Sequence, residues 1–410
     1  MKIVAISIGS YGDVQPFIVL GKYMKAQGHD FTVAALKEFR DNVEGEGLCF
    51  CQMHGDLGEL VCSMLADSDN STHSGTNGIM SMLSDKEAIY QSYEGAIKGK
   101  DLVIFMQFSD VAIYFAEKYR VKCVRSYVFP NDPTPQFNPL FSKSRENSWI
   151  TYLDYKLADY FMERSKKECS QYICDKLDID YKSCLKKFKK SSVLTLYQYS
   201  EVLAPKYKRW GTNIYITGPW YEDEKDYEPE DELKDFVKSK EKPLYIGFGS
   251  MNYSKLNELG EIVRQAVLKS GYRAIIASNL NPNRIYENDD RIHYVDYIPF
   301  GWLFDNVCGV IQHGGCGTVH YAMRYGVPTL VLSFGADQYF WGRRIHSNGA
   351  GPMPLDIKKD DITAEILATR IGKLVSDTYR RKAQIISRKM QHEQGYKTAA
   401  KLIENWEVKG

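Results

Sequence analysis

The chain lacks most of the features that mark a specialised class of protein. No stretch approaches the ~18 uninterrupted apolar residues of a membrane-crossing helix. Neither charge is in excess: 53 Lys and Arg stand against 52 Asp and Glu, a net charge of +1. No overall field therefore draws the protein to nucleic acid or to an anionic surface, and no nucleic-acid partner is expected. The nine cysteines are odd in number, run from Cys49 to Cys316 and never fall in a CxxC pair. That excludes a disulfide framework and a zinc module and suits reduced thiols in a cytosol. The start, Met1-Lys2-Ile3-Val4-Ala5-Ile6, has the look of a strand and not of a secretory leader, so a cytoplasmic location is expected. Internal repeats and low-complexity tracts are absent as well. What remains is the balance of an ordinary globular protein, 44% hydrophobic and 26% charged. At 410 residues it is too long for one core and suggests two domains.

Strand and helix patterns alternate. Ile3–Ile8 is a continuous apolar run, suited to a parallel strand covered on both faces, and Gly9-Ser10-Tyr11-Gly12 breaks it. Helical spacing runs from Val14 to Gly28, and a strand returns at Phe31–Ala35. Asp101–Met106 and Val121–Arg125 read as strands around a helix at Asp110–Tyr119. Residues 131–190, rich in aromatics (Phe137, Phe141, Trp149, Tyr152, Tyr155, Tyr160, Phe161), read as loop and inserted helices. A strand ends at Tyr215–Pro219, and the acidic run Glu222–Asp235 reads as a solvated linker and helix start. Alternation then resumes with strands Pro243–Phe248, Arg273–Ala277, Ile292–Val295, Val307–Gln312 and Pro328–Leu332, with helices at Lys255–Lys269 and Gly317–Arg324. The pattern predicts an α/β protein of two doubly wound Rossmann-like domains facing a cleft. The expected divisions are an N-terminal domain over 1–218, a linker over 219–242, a second domain over 243–395, and a final helix over 396–410.

The most specific motif is His313-Gly314-Gly315-Cys316-Gly317-Thr318, where an apolar strand gives way to a helix. Glycines let backbone approach a ligand, and a helix start offers free amides and a positive dipole end to a diphosphate. Gly247-Phe248-Gly249-Ser250 follows another strand, and Asp337-Gln338 follows a third with side chains suited to vicinal sugar hydroxyls. Asp13 is a carboxylate in the first strand-to-helix loop, fit to take a proton. Capping the helix that carries Pro16 is the competing reading for Asp13, and an N-cap is the competing reading for Asp337. The fingerprint GxGxxG is absent, which excludes a dinucleotide site. Asp178-Ile179-Asp180 has the DxD form of a metal site but reads better as a solvated turn, and no metal is expected.

Residues 243–351 resemble the donor half of the family 1 glycosyltransferases of the GT-B fold, in the branch of sterol glucosyltransferases and glycopeptide-antibiotic glycosyltransferases. The likeness is carried by Gly247–Ser250, Tyr297-Ile298-Pro299, His313–Thr318, Gly326-Val327-Pro328 and Asp337-Gln338, and by Gly9-Ser10-Tyr11-Gly12-Asp13-Val14-Gln15-Pro16 near the start. It spans roughly the first 50 residues and most of 215–405, and fades over 55–210. It implies a nucleotide and diphosphate set of Ser10, Ser250, Ile298, Pro299, His313, Gly315, Gly317 and Thr318, with Ile298 and Pro299 at the base. Asp337 and Gln338 would hold the donor sugar, Asp13 would be the catalytic base, and the final helix over 396–410 would cross back to the first domain. A plant-type ribose-binding glutamate is replaced here by Tyr321, so the co-substrate could be a UDP-sugar or a TDP-sugar.

The resemblance thus implies an inverting, metal-independent enzyme moving a hexose, UDP-glucose being the first candidate donor, to a small lipophilic acceptor such as a sterol, polyketide or flavonoid. No other cofactor is expected, and peripheral contact with a membrane is left open. Two alternatives stand beside it: a nucleotide-sugar 2-epimerase, and a catalytically silent nucleotide-sugar-binding subunit. Whether the aromatics of 131–161 line an acceptor pocket or form core is also left open.

Overall fold

The computed structural model describes residues 1–56, 84–139, 146–190, 193–222, 227–238, 241–249, 255–280 and 287–406. The chain divides into two compact units, the first Met1–Glu201, Pro205–Tyr221 and Glu393–Gly410, the second Val202–Ala204 and Glu222–His392.

In the first unit β1 (Lys2–Ile6) leads into α1 (Tyr11–Ala26), and β2 (Asp30–Ala35), α2 (Arg40–Gly45) and β3 (Cys49–Gln52) follow. Next come α3 (Lys86–Ile97), β4 (Leu102–Phe105), α4 (Ala112–Tyr119), β5 (Lys122–Tyr127), the long α5 (Trp149–Leu177), α6 (Tyr181–Lys190), β6 (Leu194–Tyr197) and β7 (Ile214–Ile216). The described strands form a parallel sheet in the order β3-β2-β1-β4-β5-β6-β7. Its central strand, β4, is apolar throughout and every residue of it is buried, as suits a parallel strand covered on both faces. Helix starts carry their own polar caps: the Asp85 carboxylate accepts from the Ala88 amide before α3, and the Ser148 hydroxyl from the Ile150 amide before α5.

Two sequence expectations shift here. The first strand ends at Ile6 and not Ile8, and α1 begins at Tyr11, three residues before the apolar spacing starts at Val14. Pro16 therefore sits inside the helix, in its second turn. Of the DxD pair, Asp178 ends α5 in a left-handed conformation and the Asp180 carboxylate accepts from the Ser183 amide, 2.8 Å, at the start of α6.

The second unit holds α7 (Asp231–Lys238), β8 (Leu244–Gly247), α8 (Leu256–Ser270), β9 (Ala274–Ala277), β10 (Ile292–Val295), α9 (Phe300–Asp305), β11 (Gly309–Gln312), α10 (Cys316–Arg324), β12 (Thr329–Ser333), α11 (Gln338–Ser347), β13 (Leu355–Asp356), α12 (Ala364–Leu374) and α13 (Asp377–Met390). Its strands are again parallel, in the order β10-β9-β8-β11-β12-β13. In both sheets the described strands run one way, so every strand-to-helix loop opens at one edge, the carboxyl edge where ligands bind in such folds. The doubly wound α/β expectation holds for each unit.

The last helix, α14 (Gly395–Glu404), returns to the first unit and packs on α1. Tyr396 meets Tyr23 edge to face at 5.5 Å, and Glu404 reaches His29 at 3.1 Å. A side chain at Gly395 would sit 2.2 Å from the Pro219 carbonyl oxygen, so the chain can pass there only as glycine.

Candidate functional site

The first unit builds a carboxylate site at the exit of β1. Ser10 is the N-cap of α1, which makes Asp13 the third residue of the helix and not its cap. Asp13 Oδ2 accepts from the Ser10 amide at 2.9 Å and from the Ser10 hydroxyl at 3.0 Å, the reciprocal arm of a capping box. Asp13 Oδ1 accepts from Gln107 Nε2 at 3.0 Å. Gln107 stands just beyond β4, which pairs directly with β1, so sheet order brings residues 94 apart into contact. Burial pushes the Asp13 carboxyl above its ordinary value, while the bonds from Ser10 and Gln107 pull the other way. A part-buried carboxylate held on both oxygens and poised upward in pKa is equipped as a general base. Ser10 is thus engaged with Asp13, where the resemblance implies a nucleotide-binding residue.

Sequence reasoning missed Gln107. Its Oε1 is buried without a hydrogen-bond partner among the described residues, and the next residue, Phe108, has a φ of 68°. Strain and an unpaired buried acceptor beside a carboxylate are features of a working site. No sequence signal marks Gln107, because its meaning comes from the β1–β4 pairing.

The second unit gathers the remaining residues at its carboxyl edge. His313, Gly314 and Gly315 join β11 to α10, and Gly315 is the N-cap. A glycine cap has no side chain to accept from the first-turn amides, so this helix start keeps donors for a ligand. Gly314, at φ 96°, lies so close beneath α11 that a side chain would stand 2.7 Å from the Gln338 carbonyl oxygen. Gly315 is constrained as well, by His313 Nε2 at 2.4 Å from where a Cβ would be. Gly317 is different: among the described residues nothing lies within 4 Å of where its Cβ would be, so no described neighbour gives a reason for glycine there. A group that comes close to the helix start from outside would give one. Thr318 follows in the first turn.

The neighbouring loops interlock. Gly249, after β8, has a φ of 61° and lies over the His313 ring, and its carbonyl accepts from Asn279 Nδ2 at 2.7 Å. Phe248 packs on Phe334 at 5.3 Å, tying the loop after β8 to the loop after β12. The Ser278 hydroxyl donates to Asp296, tying the loop after β9 to that after β10. Burial pushes His313 down to about 4, so its imidazole is neutral at physiological pH, and its Nδ1 has no partner among the described residues.

Asp337 occupies the N-cap position of α11 but makes no capping bond; its Oδ2 accepts from Trp341 Nε1 at 2.9 Å. Gln338 is buried, and its Oε1 accepts from the Phe334 amide at 2.7 Å, which holds the strained turn with Ala336 at φ 51°. The side chains of Ile298 and Pro299 are buried, whereas their neighbour Tyr297 is 68% exposed. The solvent-facing ring at this loop is therefore that of Tyr297. The Tyr321 hydroxyl donates to the Glu222 carbonyl at 2.8 Å. Ser250 lies outside the described residues.

The aromatic stretch 131–161 divides. Phe137 and Tyr155 are core, the Tyr155 hydroxyl donating to the Phe137 carbonyl at 3.0 Å, while Trp149, Tyr152, Tyr160 and Phe161 are exposed. Phe141 is outside the described residues. Among the described residues no group of three or more His, Cys, Asp or Glu side chains is arranged to hold a metal ion, and no helix is long and apolar enough to cross a membrane.

The paired parallel sheets and glycine-rich loop define a GT-B fold, and comparison with known proteins places the chain within it. Residues 3–134 match the glycosyltransferase family 28 N-terminal domain, and residues 274–403 match the erythromycin biosynthesis protein CIII-like C-terminal domain. Sterol 3-beta-glucosyltransferase of Candida albicans is 30% identical over 98% of this chain, and that of Arabidopsis thaliana 27% identical over 98%. The chain spans 27% of the length of the Candida protein and 65% of the Arabidopsis one. Among solved structures, the calicheamicin glycosyltransferase CalG4 superposes with a TM-score of 0.72 at 17% identity, covering 98% of both chains. The spinosyn rhamnosyltransferase does so at 0.67 and 16%, covering 99% of this chain and all of its own. Together these matches make the chain a glycosyltransferase of the GT-B fold that resembles the sterol and antibiotic glycosyltransferases.

Proposed function

We propose that the protein transfers a hexose, with inversion and without a metal, from a nucleotide-diphospho-sugar to a hydroxyl of a small lipophilic acceptor in the cytosol. The observation that carries the reading is the glycine-capped start of α10, with no described residue within 4 Å of a Cβ at Gly317 and a neutral His313 beside it. In the reaction Asp13 takes the proton of the acceptor hydroxyl as its oxygen bonds to the anomeric carbon. The bond from that carbon to the diphosphate breaks with its electron pair left on the diphosphate. The α10 amides, Thr318 and His313 meet that growing charge with donors fixed in advance. Asp337 and Gln338 hold the sugar, Gln338 mainly by setting the turn. The matches to sterol 3-beta-glucosyltransferases favour a sterol-like acceptor and glucose. UDP-glucose is the first donor to test; the Tyr321 substitution keeps TDP-sugars on the list, and a spinosyn rhamnosyltransferase structure contains thymidine diphosphate. The described cysteines are all free, in keeping with a reducing compartment.

The test is a mass-spectrometric screen of sterols, polyketides and flavonoids against UDP- and TDP-sugars, run in EDTA. A glycosylated acceptor is expected, with the anomeric configuration inverted. Activity that needs added manganese would overturn the metal-free assignment, and epimerised nucleotide-sugar formed without acceptor would overturn transfer itself.

A further inference from the structure

An aspartate directly before a helix ordinarily turns its carboxylate onto the free amides of the first turn. Asp337 stands in that position before α11 and does not do so. Its backbone is already helical, φ −79° and ψ −2°, where a capping residue is ordinarily extended, and its side chain makes no cap bond. The carboxylate runs one turn along the helix instead, Oδ2 accepting from Trp341 Nε1 at 2.9 Å. Residues four apart share one face of a helix, so this reach needs no distortion of α11. Asp337 itself is half-buried and follows the strained turn at Gly335 and Ala336, so its carboxylate lies between the buried indole and the carboxyl edge of the sheet.

The Trp341 ring is held from several sides. It is fully buried and meets two other rings edge to face, Phe340 at 4.8 Å and His320 at 4.7 Å. His320 belongs to α10, is fully buried too, and its Nδ1 lies 2.7 Å from the Cys316 carbonyl. A carbonyl can only accept, so Nδ1 carries the proton and the ring is pinned to its own helix. The next residue along α11, Gly342, sits so close to the layer beneath that a Cβ there would stand 2.6 Å from Pro354 and 2.9 Å from Val331. The helix therefore has no room to roll. Packing of the ring asks only for a large aromatic side chain, whereas the indole nitrogen serves the carboxylate, in a charge-assisted bond of fixed direction. A carboxylate anchored through one oxygen presents the other along a set line, which is what telling one sugar hydroxyl from another requires.

We propose that Trp341 is a positioning residue for the donor sugar: its indole N–H, braced by His320 of α10, fixes the Asp337 carboxylate toward the sugar hydroxyls. One connected group of side chains then sets both the start of α10 and the sugar contact. The proposal rests on the reading of Asp337 as a sugar-binding residue. It adds a residue that touches no substrate and acts on sugar choice through another.

The experiment compares Asp337→Ala, Trp341→Phe and the two together in the whole chain, with benzothienylalanine at position 341 as a further replacement that keeps the indole shape and lacks its N–H. kcat/KM is measured for UDP-glucose and UDP-galactose, which differ in the orientation of one sugar hydroxyl, or for the matching TDP-sugars if thymidine is preferred. It is read as transfer to an acceptor or as slow hydrolysis to water, with melting and nucleoside diphosphate binding followed alongside. Both replacements at 341 should lower kcat/KM for the better donor about tenfold to a hundredfold, since a group misplaced by ~1 Å can cost about 10²-fold. They should also compress the discrimination between the two donors at least about threefold, with nucleoside diphosphate binding unchanged. In the Asp337→Ala background Trp341→Phe should add less than about twofold, because its effect passes through Asp337. Independent, multiplying effects, or a loss of rate with the discrimination intact, would make Trp341 a packing residue and overturn the proposal. Wild-type rates with benzothienylalanine would overturn it as well, even if Trp341→Phe folds poorly. An Asp337→Ala chain with rate and discrimination untouched, or a wild type that turns over neither donor, would remove the sugar-binding reading itself and the proposal with it.

Discussion

Replacing Asp13 by Asn separates its chemical role from its structural one, and the geometry sets the expected size of each. Asp13 accepts three hydrogen bonds, two from Ser10 and one from Gln107 Nε2. Asn can keep the first two through its carbonyl oxygen. Its amide would meet the Gln107 amide donor to donor, but the unpartnered Gln107 Oε1 can accept once the Gln107 amide turns over. All three bonds then survive. The charge near the α1 N-terminus is lost, a cost of about 0.3–1 kcal/mol, against which stands relief from holding a charge out of water. The balance stays within about 1 kcal/mol, so the melting temperature should move by no more than about 4 °C. The sign of its pH dependence follows from the raised pKa. Ionised Asp13 costs wild-type stability as pH rises past the unfolded aspartate value, so the Asn variant should gain on wild type with rising pH. Turnover, by contrast, should fall about 10²–10⁴-fold, since an amide cannot take the acceptor proton. That corresponds to roughly 3–5 kcal/mol of barrier. The assays are calorimetric melting, nucleoside diphosphate titration and single-turnover transfer. Near-wild-type transfer, measured where chemistry limits the rate, would reduce Asp13 to a helix-capping residue.

Three further outcomes are expected. Gln107→Leu removes a bond that favours the Asp13 carboxylate, so the acid limb of kcat/KM should move to higher pH; an unmoved limb would show that Gln107 does not tune the base. Gly314→Ala must strain a φ of 96° and press on the Gln338 carbonyl, costing about 1–3 kcal/mol of stability, whereas Gly317→Ala should melt like wild type and yet bind nucleoside diphosphate more weakly; equal binding by Gly317→Ala would remove the ligand from the α10 start. Burial holds His313 and His320 each at about 4, so unfolding takes up protons between roughly pH 6.5 and 4. Stability should therefore fall with falling pH in that window, by up to about 1.4 kcal/mol per pH unit for each histidine, and His320→Gln should flatten the denaturant-derived slope.

The layout of the candidate site in the second unit could be read from the sequence because glycine breaks apolar runs visibly: the motif after Gln312 is both a strand end and a helix start. The architecture followed from the same alternation. The start of α1 was displaced because Tyr11 and Gly12 carry no apolar period, although the spacing Ser10-x-x-Asp13 is itself a capping-box signal that fixes the helix start. Gln107 was invisible for a deeper reason. Its partner is set by the β1–β4 pairing, and nothing local announces which strands will be neighbours. The burial of Gln338 is similarly tertiary: an amide beside an aspartate reads as sugar-binding, while its bond to the Phe334 amide shows that it also fastens the turn.

The close fit of Gly314 under the Gln338 carbonyl bears on how such an enzyme can be re-engineered. Because the glycine loop and the start of α11 share one van der Waals surface, neither can be exchanged alone without leaving a gap or a clash beneath the other. A graft that imports only the loop after β12 in search of a new sugar preference would also disturb the start of α10, the proposed diphosphate cradle. The smallest transplantable piece is the pair of loops together with Val331 and Trp341, which lie against them.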